Sequence, residues 1–205
     1  MKKLLFSLLV MAFSTVAYAQ TAQEIVARMD EVMSQYNRDA LAMTMDMKMP
    51  LVGTISSKNY IFGKKMRLDI EKEGKRIVTW SDGVTEWTYD SSTNEIVITN
   101  AKTRSSEDDN MDMFESVTEG YDVSISEELN DKWILRCKKS RSNKDKDAPK
   151  RMDLIVAKDT YFPLSISAKS GLVSVTIRDL KYGITEEDVT FNPDNYPTAK
   201  FIDKR

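Results

Sequence analysis

The chain has 205 residues, with 30 Lys and Arg against 32 Asp and Glu, no histidine and one cysteine. That balance offers no basic surplus for a phosphate backbone, so a nucleic-acid partner is not expected. Without imidazole, Ser-His-acid and Cys-His catalysis and histidine-ligated zinc are excluded, and Cys137 has no partner for an internal disulfide.

Lys2 and Lys3, the apolar run from Leu4 to Phe13 and the pair Ala17-x-Ala19 have the arrangement of a secretory signal peptide. The run is about ten residues, short of the roughly 20 needed to span a bilayer core. No cysteine follows the expected cut, so a lipid-modified start is not expected. Residues 1–19 are therefore read as a leader, and 20–205 as one exported, soluble, monomeric domain of the periplasm. Losing Lys2 and Lys3 lowers the basic count from 30 to 28 and takes the formal charge from -2 to -4. The seven glycines are scattered singly and form no phosphate-binding loop. The acidic run Glu107-Asp108-Asp109 reads as a solvated turn. No enzymatic activity, cofactor or metal is expected.

Thr21 and Glu24 have the spacing of a capping box. Ile25, Met29, Val32, Met33 and Tyr36 then recur at helical spacing, which predicts a helix ending near Asn37 to Asp39. After it the period changes to two. Leu41, Met43, Met45, Met47 and Met49 alternate with small or polar residues, so all five share one face of a strand. Strands follow at Ile55–Phe62, Met66–Ile70 and Lys75–Trp80, with Glu73-Gly74 and Asp82-Gly83 as turns. Glu86–Tyr89 and Glu95–Thr99 pair across a polar loop. Met113, Phe114 and Val117 fit one face of a short helix. Strands resume at Tyr121–Ser126 and Lys132–Lys138, where Cys137 shares a face with Trp133 and Leu135 and reads as a buried small hydrophobe. Lys139 to Lys150, with both charge signs interspersed, reads as a solvated turn. Met152–Ala157, Leu164–Ser167, Leu172–Asp179 and Val189–Phe191 complete the pattern.

The tally is about 9–11 strands with two or three helices, an α+β architecture in which helices cover one face of a broad antiparallel sheet. One helix cannot cover so many apolar side chains. Either the sheet curls on itself or it keeps an apolar surface for a ligand. Methionine is unbranched and polarizable, so Met43, Met45, Met47, Met49 and Met66 suit flexible apolar chains, and equally suit an ordinary core.

Two stretches carry a resemblance. Ile77-Val78-Thr79-Trp80-Ser81-Asp82-Gly83, followed by Trp87-Thr88-Tyr89, and the ending Val189-Thr190-Phe191-Asn192-Pro193 with Tyr196-Pro197 and Phe201 to Arg205, resemble the periplasmic lipoprotein-carrier, or LolA-like, family, especially its forms in Bacteroidetes-type bacteria. The resemblance implies an open, strongly curved antiparallel sheet, an unclosed half-barrel with a helical lid on its concave apolar face. It implies a carrier that takes acylated lipoproteins from an inner-membrane transporter to an outer-membrane acceptor. By position it implies a cavity lined by Met43, Met45, Met47, Phe62, Met66, Leu68 and Trp80, with Met29, Val32, Met33 and Phe114 from the helices. The family's basic lid latch falls nearest Lys64 or Lys65, although lysine lacks the rigid guanidinium fork. Two alternatives stand beside this reading: a LolA-like lipid or envelope-stress sensor, and a closed-core structural secreted protein.

Overall fold

The structure, a computed structural model, describes residues 20–37, 39–101 and 117–205. The leader and the short helix expected around Met113 and Phe114 lie outside the described residues.

Helix α1 (Ala22–Met33) starts at its capping box. Thr21 Oγ1 accepts from the Glu24 amide at 3.2 Å, and the Glu24 carboxylate accepts from the Thr21 amide at 2.8 Å. These bonds satisfy amides that have no partner inside the helix. The helix ends sooner than its apolar spacing predicts. The Ser34 hydroxyl donates to the Glu31 carbonyl, and the amides of Gln35 and Tyr36 bond three residues back, tightening the last turn. Tyr36 leaves the helix axis and stacks on Tyr182 with ring centroids 4.9 Å apart.

Twelve strands form one sheet. They are β1 (Ala40–Met49), β2 (Gly53–Phe62), β3 (Lys65–Lys72), β4 (Lys75–Ser81), β5 (Thr85–Asp90), β6 (Glu95–Asn100), β7 (Tyr121–Glu128), β8 (Lys132–Lys139), β9 (Arg151–Ala157), β10 (Pro163–Ser170), β11 (Val173–Tyr182) and β12 (Lys200–Asp203). The order β12-β6-β5-β4-β3-β2-β1-β11-β10-β9-β8-β7 describes two meanders joined where β1 pairs with β11. Glu73 and Gly74 take φ of +54° and +76°, the left-handed pair that a two-residue hairpin between β3 and β4 requires.

The architecture corrects the expectation from sequence in four respects. The described residues form twelve strands, not 9–11. The sheet is mixed, because β12 runs parallel to β6. Val189–Phe191 is not a strand: Glu186–Val189 is a 3₁₀ turn and a second follows at Pro193–Asn195. Finally, the sheet is open but not strongly curled. Extensive strand contact is confined to ladder neighbours, and β7 and β12 remain its two edges among the described residues. The physical reason is that apolar residues occupy both faces, so burial does not require the sheet to wrap round one lid.

Two covers sit on opposite faces. On one, the helix face, Ala22, Ile25, Met29 and Met33 of α1 pack on Leu41, Met43, Ile61, Trp133, Leu135, Leu154, Val156 and Ile166. On the other, a strap of residues 184–199 containing both 3₁₀ turns crosses the β2–β6 half. There Ile184 and Val189 pack with Ala40 and Ala42, flanked by Tyr60 and Phe62. Replacing fully buried Ile25 by Ala is expected to lower unfolding stability by about 2–5 kcal/mol. Thr21→Ala, which loses only a cap, is expected to cost about 1 kcal/mol. Urea unfolding of the two variants measures both.

Candidate functional site

Residues directly opposite in antiparallel strands share a face. The register therefore defines rows across the helix face of the β1–β4 region. One row runs Met43, Asn59, Leu68, Thr79, and the next Met45, Ser57, Ile70, Ile77. On the other flank Met45 faces Ile177 and Met47 faces Val175. Along β1 the burial is graded. Leu41 and Met43 are buried in the core under α1, whereas Met45 and Met47 are half-buried and belong to neither core. Leu68 and Ile70 are half-buried too, and Ile77 is 40% exposed. The result is an apolar strip along β1 and β11 that begins under the helix and continues past it, with the apolar residues of β3 and β4 set apart from it by Asn59 and Ser57 of β2.

This geometry gathers Met29, Met33 and Met43 in one core, with Val32 half-buried on the same helix. Met45, Met47, Met66 and Leu68 extend from it along the same face. Phe62 and Trp80 are not brought to this group. Both point to the opposite face, Phe62 beside Ile184 and Val189, and Trp80 against Phe191 and Tyr196. Phe114 lies outside the described residues. Lys64 is exposed, and Lys65 reaches the Glu186 carboxylate of the strap at 2.7 Å. An ion pair so open to solvent contributes about 0–1 kcal/mol.

The strap face has its own centre, Arg67, on the side of β3 opposite Met66, Leu68 and Ile70. Its Nε and Nη2 donate to the two carboxylate oxygens of Asp69, each at 2.7 Å, a bidentate pair. The Asp69 hydrogen bonds raise the Arg67 pKa above the ordinary guanidinium value. Its guanidinium also lies 5.1 Å from the Tyr60 ring centroid and 5.8 Å from that of Trp80. Arg76 donates to the same Asp69 carboxylate at 2.9 Å. The row Tyr60, Arg67, Trp80, Trp87 exists only once β2 to β5 are in register. Strap aromatics close over it: Phe191 stacks on Trp87 at 5.3 Å, and Tyr196 lies 4.6 Å from Tyr89. Between strap and sheet a polar cavity of about 490 Å³ remains.

Neither a scan against family models nor a search of curated proteins finds a match. Among solved structures the chain is distantly similar to an uncharacterized conserved protein from Thermus thermophilus, with 17% identity and a TM-score of 0.44, covering 89% of this chain and 99% of that one. It is similar to a LolA-superfamily protein from Nitrosomonas europaea, with 14% identity and a TM-score of 0.33, covering 86% and 100%. MucB, solved in complex with MucA, gives 13% identity and a TM-score of 0.40, covering 83% of this chain and 60% of that one.

No catalytic constellation forms among the described residues. They contain no group of three or more His, Cys, Asp and Glu able to hold a metal ion. None of their helices is long and apolar enough to cross a membrane. Cys137 is 1% exposed, opposite Val123 and Met152. Burial, then the nearby Asp153 charge, pushes its thiol pKa from 9.0 up to about 11. The thiolate nucleophile is thereby suppressed. Because the folded pKa is raised, the stability due to the neutral thiol is complete below pH 9 and is lost as the pH rises towards 11. A thiol-reactive dye is expected to leave the native protein unlabelled at pH 8 and to label it fully once urea unfolds it. Labelling at equal rates in both states would contradict the buried placement.

Proposed function

We propose that this protein is an exported periplasmic carrier, a single domain over residues 20–205, that holds the acyl chains of lipoproteins against the helix face of its sheet. The observation that carries this reading is the half-buried pair Met45 and Met47, which carries the buried side of β1 past Leu41 and Met43 beside Ile177 and Val175, with Leu68 and Ile70 on the same face beyond Asn59 and Ser57. Met29, Val32 and Met33 supply the helical wall at its closed end, and Met66 continues it along β3. An acyl chain gains about 0.8 kcal/mol for each CH₂ withdrawn from water, so a strip a few side chains long retains it without any covalent step. Unbranched methionines follow the contour of a flexible chain, and a strip open at one side permits release. In this reading the donor and acceptor are membrane proteins at either side of the periplasm, and the cargo's acyl chains are the recognised chemistry.

Native mass spectrometry of residues 20–205 with a synthetic triacylated lipopeptide tests it. The wild-type chain is expected to form a one-to-one complex. Met45→Asp and Leu68→Asp are each expected to weaken that complex by about tenfold or more, since a carboxylate in an apolar contact must be desolvated. Their urea midpoints, checked in parallel, are expected to stay near wild type because both side chains lie outside the cores. A wild-type chain that ignores the lipopeptide, or variants that bind it as well as wild type, would overturn the proposal.

A further inference from the structure

The strap face carries a second candidate site, separated from the acyl strip by the thickness of the sheet. Its cavity of about 490 Å³ lies within the roughly 300–1,000 Å³ of small-molecule sites. A second cavity of about 720 Å³ adjoins it, sharing Arg67, Glu187, Thr190, Asn192 and Asn195. Trp80 is only 5% exposed and forms the floor, while the half-buried rings of Tyr89 and Tyr196 form a wall.

The charges in and under this cleft decide what it can hold. Arg67 and Arg76 both donate to Asp69, and Glu187 adds a second carboxylate from the strap. Two positive groups are matched by two negative ones. An anion would meet Glu187 and find both arginines already bonded to Asp69; a cation would meet the guanidiniums. An acyl chain would desolvate polar walls without pairing them. Some of the polar groups are committed, since the Asn94 amide donates to the Thr198 carbonyl at 2.8 Å and Asn192 Oδ1 accepts from the Asp194 amide. The exposed Asn195 side chain makes no hydrogen bond to other described residues, and Glu187 has no ion-pair partner among them. A neutral ligand with one apolar ring face and many hydroxyls satisfies this set. Its ring face lies on the tyrosines, and its hydroxyls donate to Glu187 and accept from Asn195.

We propose that the cleft between the strap and β3–β5 binds a short neutral saccharide. Isothermal titration of residues 20–205 with chitotriose and with maltotriose tests this, with inorganic phosphate as the anionic competitor. At least one trisaccharide is expected to bind saturably, and phosphate is expected not to displace it. Asn195→Ala and Glu187→Ala each remove a hydrogen-bonding group from an exposed strap position and are expected to weaken binding by about tenfold. Leu68→Asp, on the other face, is expected to leave saccharide binding unchanged, so the test is independent of the carrier reading. Absence of binding by both trisaccharides, displacement by phosphate, or undiminished binding in both strap variants would overturn the proposal.

Discussion

A sheet one layer thick has two faces, and among the described residues one α-helix and one strap cover twelve strands. The packing of α1 on one face and of the strap on the other is the constraint from which the rest follows. Ile25, Met29 and Met33 exclude water over β8–β11 and β1, while Phe191 and Tyr196 do so over β4 and β5. Each cover leaves the remainder of its own face bare. On the helix face that remainder includes the apolar strip of Met45 and Met47, with Ile70 and Ile77 beyond Ser57. Behind β8 and β9 it is polar, where Arg136 and Arg151 both pair with Asp153. The same logic keeps the sheet from rolling up, because closing it round α1 would not bury the aromatic row on the opposite side.

The two covers are held by different physics. Helix α1 is retained by apolar area, with the capping box fixing where it starts. The strap has no long helix to contribute; its aliphatic contacts are Ile184 and Val189 on Ala40 and Ala42, over a face that also holds fully buried Val78 and Ile96. It is held by stacked and edge-on rings, by the 3₁₀ turn capped where Asp188 accepts from the Thr185 amide at 2.8 Å, and by β12 pairing with β6. Aromatic pairs contribute about 0.5–1.5 kcal/mol each beyond their area, so a few of them anchor a segment that would otherwise be loop. Such a cover leaves cavities at its margins, because rings and turns tile a sheet less completely than a helix does.

How much of this was legible in the sequence follows from the range of each signal. The capping box of Thr21 and Glu24, the alternation of β1 and the hairpin at Glu73-Gly74 are local, and the sequence located each. The inward side of β8, with Trp133, Leu135 and Cys137, was equally plain. The strap was not legible. Val189–Phe191 is apolar enough to read as a strand, yet Val189 packs on alanines and Phe191 on tryptophans more than a hundred residues away in sequence. The candidate site divides on the same line. A period of two sorts the methionines of β1 onto one face, whereas the family resemblance groups Phe62 and Trp80 with them although they belong to the other face. Arg67 was passed over because only the register of β2, β3 and β4 lines it up between Tyr60 and Trp80.

The covers overlap at the first half of β1 and at the facing end of β2, where Ile61 packs with α1 and Tyr60 and Phe62 with the strap. Ala40 to Thr44 are all buried, the odd positions Leu41 and Met43 under α1 and the even positions Ala40 and Ala42 under the strap. The alternation in side-chain size has a cause. Ile184 and Val189 of the strap pack directly on Ala40 and Ala42, and a larger side chain at 40 or 42 would hold the strap off. On the other face α1 packs on the larger Leu41 and Met43. Beyond Thr44 both covers are gone, the strand becomes half-buried, and its methionines turn from core into surface. A single strand thus serves as seam, spacer and the beginning of the candidate acyl strip. The acyl strip and the polar cleft are therefore joined through the first half of β1 and through Tyr60 to Phe62 of β2, and can be altered separately beyond them.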